Sequence, residues 1–281
     1  MSCEVAIVCS TADPASLNIA RSLLDLTVWE DQGGFRSSGH NRLVIHDQRQ
    51  TALHGLEERL DELGLKPGLV VFACRHVAKE EIPWLGGHYV GEISPDDGSE
   101  RRLSAASPSG FRSFLRNVAK EAPEGFRVSA EATHHGPTDM TTPCFFAEIG
   151  SFEKQWSDQQ AGESVARSIL GIEARELPVF LGIGGGHYVP RQTSLMLESK
   201  VAFGHMFSSY QVEFLDRNIL EEAQEKSSAS YAYLDRKSLR RENRDRISKI
   251  LEEMGLPVLR SKEIRARFPD KPVKRSDTIS F

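Results

Sequence analysis

Seven short apolar runs punctuate this chain, at residues 5–9, 43–46, 69–74, 126–133, 144–149, 179–183 and 201–203. Most are apolar along their length instead of alternating, so a strand formed from one of them needs cover on both faces. Between the runs, segments 14–25, 51–63, 111–122, 154–170 and 239–254 carry apolar residues at helical spacing, such as Leu53, Leu56, Leu60 and Leu63 in the second. Thr51 is expected to cap the second helix, Gly171 to end the fourth, and Gly255 with Pro257 to stop the fifth. Strands alternating with helices predict an α/β fold: a largely parallel sheet with helices on both sides. The Gly/Ser-rich stretch 30–41 and the turn-rich stretch 86–101, with Gly86-Gly87, Ser94-Pro95 and Asp97-Gly98, are expected as long loops. The polar tail from residue 268 onward is expected to be loosely held.

A length of 281 residues suffices for one large domain, so residues 1–281 are expected to form a single catalytic unit. Apolar content of 39% and charge of 27% exclude disordered and fibrous classes. No apolar run approaches the roughly 20 residues of a membrane span. Residues 1–9 lack a charged start and a long apolar core, and read as a first strand instead of a signal peptide. Cys3, Cys9, Cys74 and Cys144 form no CxxC pair, which fits buried, reduced thiols and a cytoplasmic protein. The net charge of −5 is uneven. Residues 236–275 hold 14 of the 35 Lys and Arg but six of the 40 Asp and Glu, a balance of +8 against −13 for the remainder. Such a basic subregion can hold a polyanion; a solvated helix laced with ion pairs is the plainer alternative.

Histidines recur where the apolar runs end. His134 and His135 follow the run at 126–133 and precede Gly136-Pro137; His187 follows Gly184-Gly185-Gly186; His205 follows Gly204. Open α/β sheets place their chemistry at such strand ends, and imidazole can ligate a metal or move a proton near neutral pH. Side chains on a strand alternate, so one of His134 and His135 is expected to face the cleft and the other to pack away. Glu148, within Phe145-Phe146-Ala147-Glu148-Ile149, and Glu131 are carboxylates in apolar surroundings. Each needs a partner: a metal, a histidine it orients, or an arginine such as Arg75 or Arg191. The glycine run lacks the Gly-Lys-Ser/Thr of a phosphate loop and reads instead as backbone N–H groups open to a developing oxyanion. A Cys74–His76 nucleophile pair is conceivable, although Cys74 lies in an apolar run.

Residues 131–137 and 182–190, with Phe146-Ala147-Glu148-Ile149-Gly150-Ser151 and Ala202-Phe203-Gly204-His205, resemble the archaeal-type D-aminoacyl-tRNA deacylases. The likeness spans most of the chain, including the first strand, Arg75-His76, Ser107-Pro108-Ser109 and the segment around Trp156. The resemblance implies a phosphorylase/hydrolase-like three-layer sandwich with a mixed, largely parallel sheet. It also implies zinc-dependent hydrolysis of the ester joining a D-amino acid to tRNA. Two places depart from the family pattern: Cys74-Arg75-His76 stands where Ser-Arg-His is usual, and residues 83–91 carry His88 but no Asn.

On this reading zinc is held by some of His76, His88, His134, His135, His187 and His205. His134, His135, Glu148 and His187 are the candidate catalytic residues, and Glu131 shares the ligand-orienting or proton-accepting role. Gly184, Gly185, Gly186 and Thr133 are expected to contact the substrate, and Arg240, Arg241 and Arg244 the tRNA backbone. The alternatives are a zinc-dependent amidohydrolase or peptidase-like enzyme acting on a small substrate, and a non-catalytic RNA-binding module.

Overall fold

The computed structural model describes residues 4–93 and 101–273, so the parts of the expected features at Cys3, 94–100 and 274–281 lie outside the described residues. In chain order the strands are β1 (Val5–Ser10), β2 (Glu30–Asp31), β3 (Arg36–Ser38), β4 (Asn41–His46), β5 (Leu69–Arg75), β6 (Trp84–His88), β7 (Gly91–Glu92), β8 (Arg102–Leu103), β9 (Arg127–Ala130), β10 (Cys144–Gly150), β11 (Val179–Ile183), β12 (Ala202–Phe207) and β13 (Tyr231–Leu234). The helices are α1 (Pro14–Leu26), α2 (Leu56–Glu62), α3 (Pro108–Glu121), α4 (Glu153–Trp156), α5 (Gln159–Leu170), α6 (Pro190–Glu198), α7 (Arg217–Ser227), α8 (Arg241–Glu253) and α9 (Ser261–Arg267).

The strands form an eight-stranded sheet of order β2-β3-β4-β1-β5-β10-β6-β9, a separate three-stranded sheet of order β12-β11-β13 and a two-stranded antiparallel ribbon of β7 and β8. Strands β4, β1, β5 and β10 run parallel; β6 is antiparallel to β10 and parallel to β9. The mixed, largely parallel α/β architecture is therefore as expected. Odd-numbered residues of β1 (Val5, Ile7, Cys9) face α1, α3 and α5, and even-numbered ones (Ala6, Val8) face the α2 side. The small sheet shares the first core through Phe180 and Phe203 and turns its other face, with Leu181 and Ile183, to α7 and α8.

Several boundaries differ from expectation for local reasons. The helix expected at 51–63 begins at Leu56 behind Gly55, which is left-handed at φ +68°; Thr51 sits in a short 3₁₀ turn instead of capping it. The helix expected at 154–170 is two, because Asp158 breaks it and caps α5 by accepting from Ala161 N. Residues 30–41 hold the β2–β3 hairpin. Gly86 and Gly87 are not a turn but the middle of the buried strand β6. A Cβ at Gly87 would lie 1.8 Å from the Phe146 carbonyl oxygen, so glycine there permits a close strand approach. The tail is docked as far as residue 273: Asp270 accepts from Arg112 at 2.6 Å.

Candidate functional site

The ends of the central strands deliver titratable side chains to one place. β5 continues one residue past its end, with His76 N donating to Ile149 O, and Glu148 stands beside it on β10. His88 closes β6 opposite Phe146. After β9 the chain leaves the strand and is stitched between the two sheets: Glu131 N donates to Gly87 O, Ala132 N to His187 O, and Thr133 N to Met206 O. The turn after β11 brings in His187. They gather around a cleft of about 480 Å³ whose wall includes Asp13, Arg49, Arg75, His76, His134, His135, Glu148 and His187, with the fully buried His88 and Glu131 behind that wall.

On one side of the cleft, His88, His134 and His135 form a cluster, with ring centroids 3.9 to 4.6 Å apart. Each donates its Nδ1 hydrogen to a backbone carbonyl: His88 to Tyr89 at 2.9 Å, His134 to Ala132 at 2.8 Å, and His135 to Gly136 at 2.7 Å. These bonds fix the tautomer, leaving Nε2 on each ring as a lone-pair donor. Burial drives all three toward the neutral form: His88 down to about 4 and His135 to about 3, and His134 well below its ordinary value.

The other side is organised by Glu131, which has no solvent exposure. Its Oε1 lies 2.9 Å from His187 Nε2 and 3.3 Å from His76 Nδ1. Burial opposes ionisation of Glu131, yet the two imidazoles outweigh it and hold the carboxyl well below its usual range. Reciprocally, burial pulls His76 and His187 down, but the hydrogen bond and charge of Glu131 raise both above their ordinary value. The outer nitrogens meet phenols: His76 Nε2 lies 3.0 Å from Tyr188 OH, and His187 Nδ1 3.0 Å from Tyr210 OH. Glu148 is pushed well above the usual carboxylate range, first by burial and then by the charge of Glu131.

The donor set fits a metal ion. His88, His134 and His135 offer one atom each within 4.8 Å of one another, as do His76, Glu131 and His187, and His88, Glu131 and Glu148. His88 Nε2, Glu131 Oε2 and Glu148 Oε2 are buried without a hydrogen-bond partner among the described residues, an arrangement that is costly unless something binds there. Three neutral imidazoles beside a carboxylate is a ligand chemistry suited to zinc.

The family model of D-aminoacyl-tRNA deacylase matches residues 63–259. The chain belongs to the D-aminoacyl-tRNA deacylase family. Proteins of that name from Methanothrix thermoacetophila and Methanosarcina mazei are 46% and 42% identical, each over 94% of this chain, and the matches cover 99% and 95% of those proteins. A crystal structure titled as a conserved protein of unknown function superposes with a TM-score of 0.88 at 30% identity, over 96% of this chain and all of that one. The family is one of hydrolases, and the seven clustered His and Glu residues all fall inside the matched region.

Within this deacylase fold the expected site residues divide. His76, His88, His134, His135, Glu131, Glu148 and His187 come together. His134 and His135 both enter the cleft, against the alternation expected of a strand. β9 ends at Ala130, and His135 takes a left-handed φ of +41°, which swings its ring to the same side as that of His134. His205 stands apart. Both its nitrogens are engaged, with Thr133 Oγ1 at 3.1 Å and Ser104 O at 3.0 Å, so it braces the fold. Thr133 is fully buried and bonded to His205 and to Met206 N, which leaves nothing for a substrate. Gly184 N donates to Phe207 O and Gly185 N to Ser238 Oγ, so neither is available to an oxyanion; the N–H of Gly186 has no partner among the described residues. Arg75 and Arg191 pair with Asp13 and Asp235, not with the buried glutamates. Cys74 points its thiol at Asp13 and is held well above its ordinary range by burial, which removes it as a nucleophile.

Arg240 precedes α8 and Arg241 and Arg244 lie in its first turns; the latter two stand 3.6 and 3.3 Å from Asp245. Lys274 and Arg275 of the basic subregion lie outside the described residues. Sequence reasoning missed Asp13, Tyr188 and Tyr210. Asp13 advertises only a helix cap, its Oδ1 accepting from Ser16 N, while its Oδ2 accepts from Arg75 N at the cleft wall. Tyr188 adjoins His187 in sequence, a proximity that could have flagged it. No helix among the described residues is long and apolar enough to cross a membrane.

Proposed function

We propose that this deacylase hydrolyses the ester joining a D-amino acid to the 3′ end of tRNA, with His88, His134 and His135 holding a zinc ion through Nε2. The observation that carries the reading is the shared tautomer in a tight cluster: three Nδ1 hydrogens spent on backbone carbonyls, on three rings that each offer a nitrogen within 4.8 Å of the others. When bound, zinc supplies Lewis acidity for water and for the ester carbonyl.

The remaining residues position and move protons. Glu131 orients His76 and His187 and raises their basicity. His187, about a third exposed at the cleft wall, has Nε2 on Glu131 and Nδ1 against Tyr210 OH; in its neutral form it accepts at Nδ1, through that hydroxyl, the proton released as water adds to the ester carbon. As the ester C–O bond breaks, the same proton passes to the departing ribose oxygen, giving free tRNA and the D-amino acid. Gly186 N–H is the remaining backbone donor of the turn. Arg240 and its neighbours hold phosphate backbone, and a tRNA substrate assigns the work to the cytoplasm.

The test is deacylation of D-Tyr-tRNA against L-Tyr-tRNA, with and without chelator, alongside elemental analysis. Faster release of D-Tyr, abolished by chelation and restored by zinc, is expected. Equal rates on both enantiomers, or full activity in metal-free protein, would reject the reading. Hydrolysis of small amides without need of tRNA would favour the amidohydrolase alternative, and tRNA binding without turnover the binding module.

A further inference from the structure

A second concavity of about 350 Å³ is tied by hydrogen bonds to the turn that carries His187. It is lined by Tyr210, Glu213, Ser238, Arg240 and Asn243, among others. Two links join it to the catalytic side. Tyr210 OH lies 3.0 Å from His187 Nδ1, and Ser238 Oγ accepts from Gly185 N at 2.7 Å, within the turn that carries His187. Tyr210 is 55% exposed, so part of its ring is open to a ligand in this concavity. Neither Glu213 nor Arg240 has an ion-pair partner among the described residues, although they line the same pocket and both are exposed.

An exposed aromatic face, a cation and hydrogen-bonding groups in a groove are the components with which proteins seat unpaired nucleotides: the ring stacks on a base, arginine meets phosphate, and polar groups read the base edge. A carboxylate accepts from the exocyclic amino group of cytosine and cannot do so from uracil, which presents a carbonyl there. Every tRNA ends in the single strand CCA. With the ester-bearing adenosine at the cleft, the neighbouring nucleotide is a cytidine.

We propose that this pocket seats the penultimate cytidine of aminoacyl-tRNA, with Tyr210 stacked on the base, Glu213 accepting from its amino group and Arg240 against its phosphate. The assignment rests on the deacylase reading above. It makes Tyr210 a positioning residue twice over, holding the substrate strand with its ring and the His187 imidazole with its hydroxyl.

The test is single-turnover hydrolysis of D-Tyr-tRNA ending in CCA and of the same tRNA ending in CUA. The enzymes compared are the full-length wild type and the Glu213→Gln, Tyr210→Phe and Tyr210→Ala variants. Wild type should favour CCA by about fivefold or more in kcat/KM, the range expected of one base-edge contact. Glu213→Gln should lose most of that preference. Tyr210→Phe should keep KM and lower kcat, whereas Tyr210→Ala should also raise KM. Equal wild-type rates on the two ends, or a preference that survives Glu213→Gln, would overturn the assignment while leaving the deacylase reading intact. No hydrolysis of either tRNA by wild type would overturn both.

Discussion

The two sides of the cleft use the same residue type to opposite ends. His88, His134 and His135 are buried beside one another, with backbone carbonyls as their hydrogen-bond acceptors, and are driven neutral. His76 and His187 are also largely shielded but share Glu131, and are driven toward the charged form. Burial alone acts in the same direction on all five. The acceptor on the inner nitrogen decides the outcome: a carbonyl fixes a tautomer, whereas an ionised carboxylate also stabilises an imidazolium. The contrast teaches that histidines in one cleft divide into neutral and charge-favouring groups according to what lies behind them, not according to their place in the sequence.

The largest break in that comparison comes from the neutral side. His88→Ala, His134→Ala or His135→Ala should each abolish bound zinc and lower turnover by more than about 10²-fold, since even outer-shell partners cost 10–100-fold. His76→Ala should retain metal on the trio and lose turnover only. Metal analysis of the purified variants beside single-turnover rates checks this; trio variants that keep metal and rate would erase the distinction between the sides.

A smaller effect is expected from Glu131→Gln. Burial persists but the carboxylate charge goes, so His76 and His187 should fall from above their ordinary value to below it. Turnover should drop about 10- to 100-fold. Titration of the imidazole nitrogens by NMR reads the shift directly, and unmoved pKa values would show that Glu131 is not what sets the charged side.

The smallest effect concerns pH and the stability of the metal-free protein. His88 at about 4 and His135 at about 3 are depressed in the folded chain, while an unfolded imidazole titrates near 6.5. Between those values the unfolded chain binds more protons, so stability is fully present above about 6.5 and declines as pH falls toward 4. In chelator, the denaturation midpoint at pH 5 should lie below that at pH 7, and the His88→Ala variant should show less of this decline. An equal decline in that variant would assign the effect to other groups.

Much of this arrangement was legible in the sequence because strand ends are legible. The apolar runs located β1, β5, β10 and β11, and the histidines and Glu148 beside them gather at one cleft. What was not legible depended on backbone geometry or on contacts between distant segments. The left-handed φ of His135 overrode strand alternation, and Gly86-Gly87 reads as a turn until the approach of β10 explains it. His205 carries the same local signature as His187, yet its role is decided by Thr133 and Ser104, far away in the chain. Tyr210 carries no pattern at all; only its hydroxyl on His187 marks it.

The central claim is that the neutral trio is the metal centre. Anomalous diffraction at the zinc edge, on crystals of the protein purified without chelator, tests it most directly. The account predicts a peak about 2.0–2.1 Å from Nε2 of each of His88, His134 and His135. Crystals of active protein with no peak at those three nitrogens would contradict it.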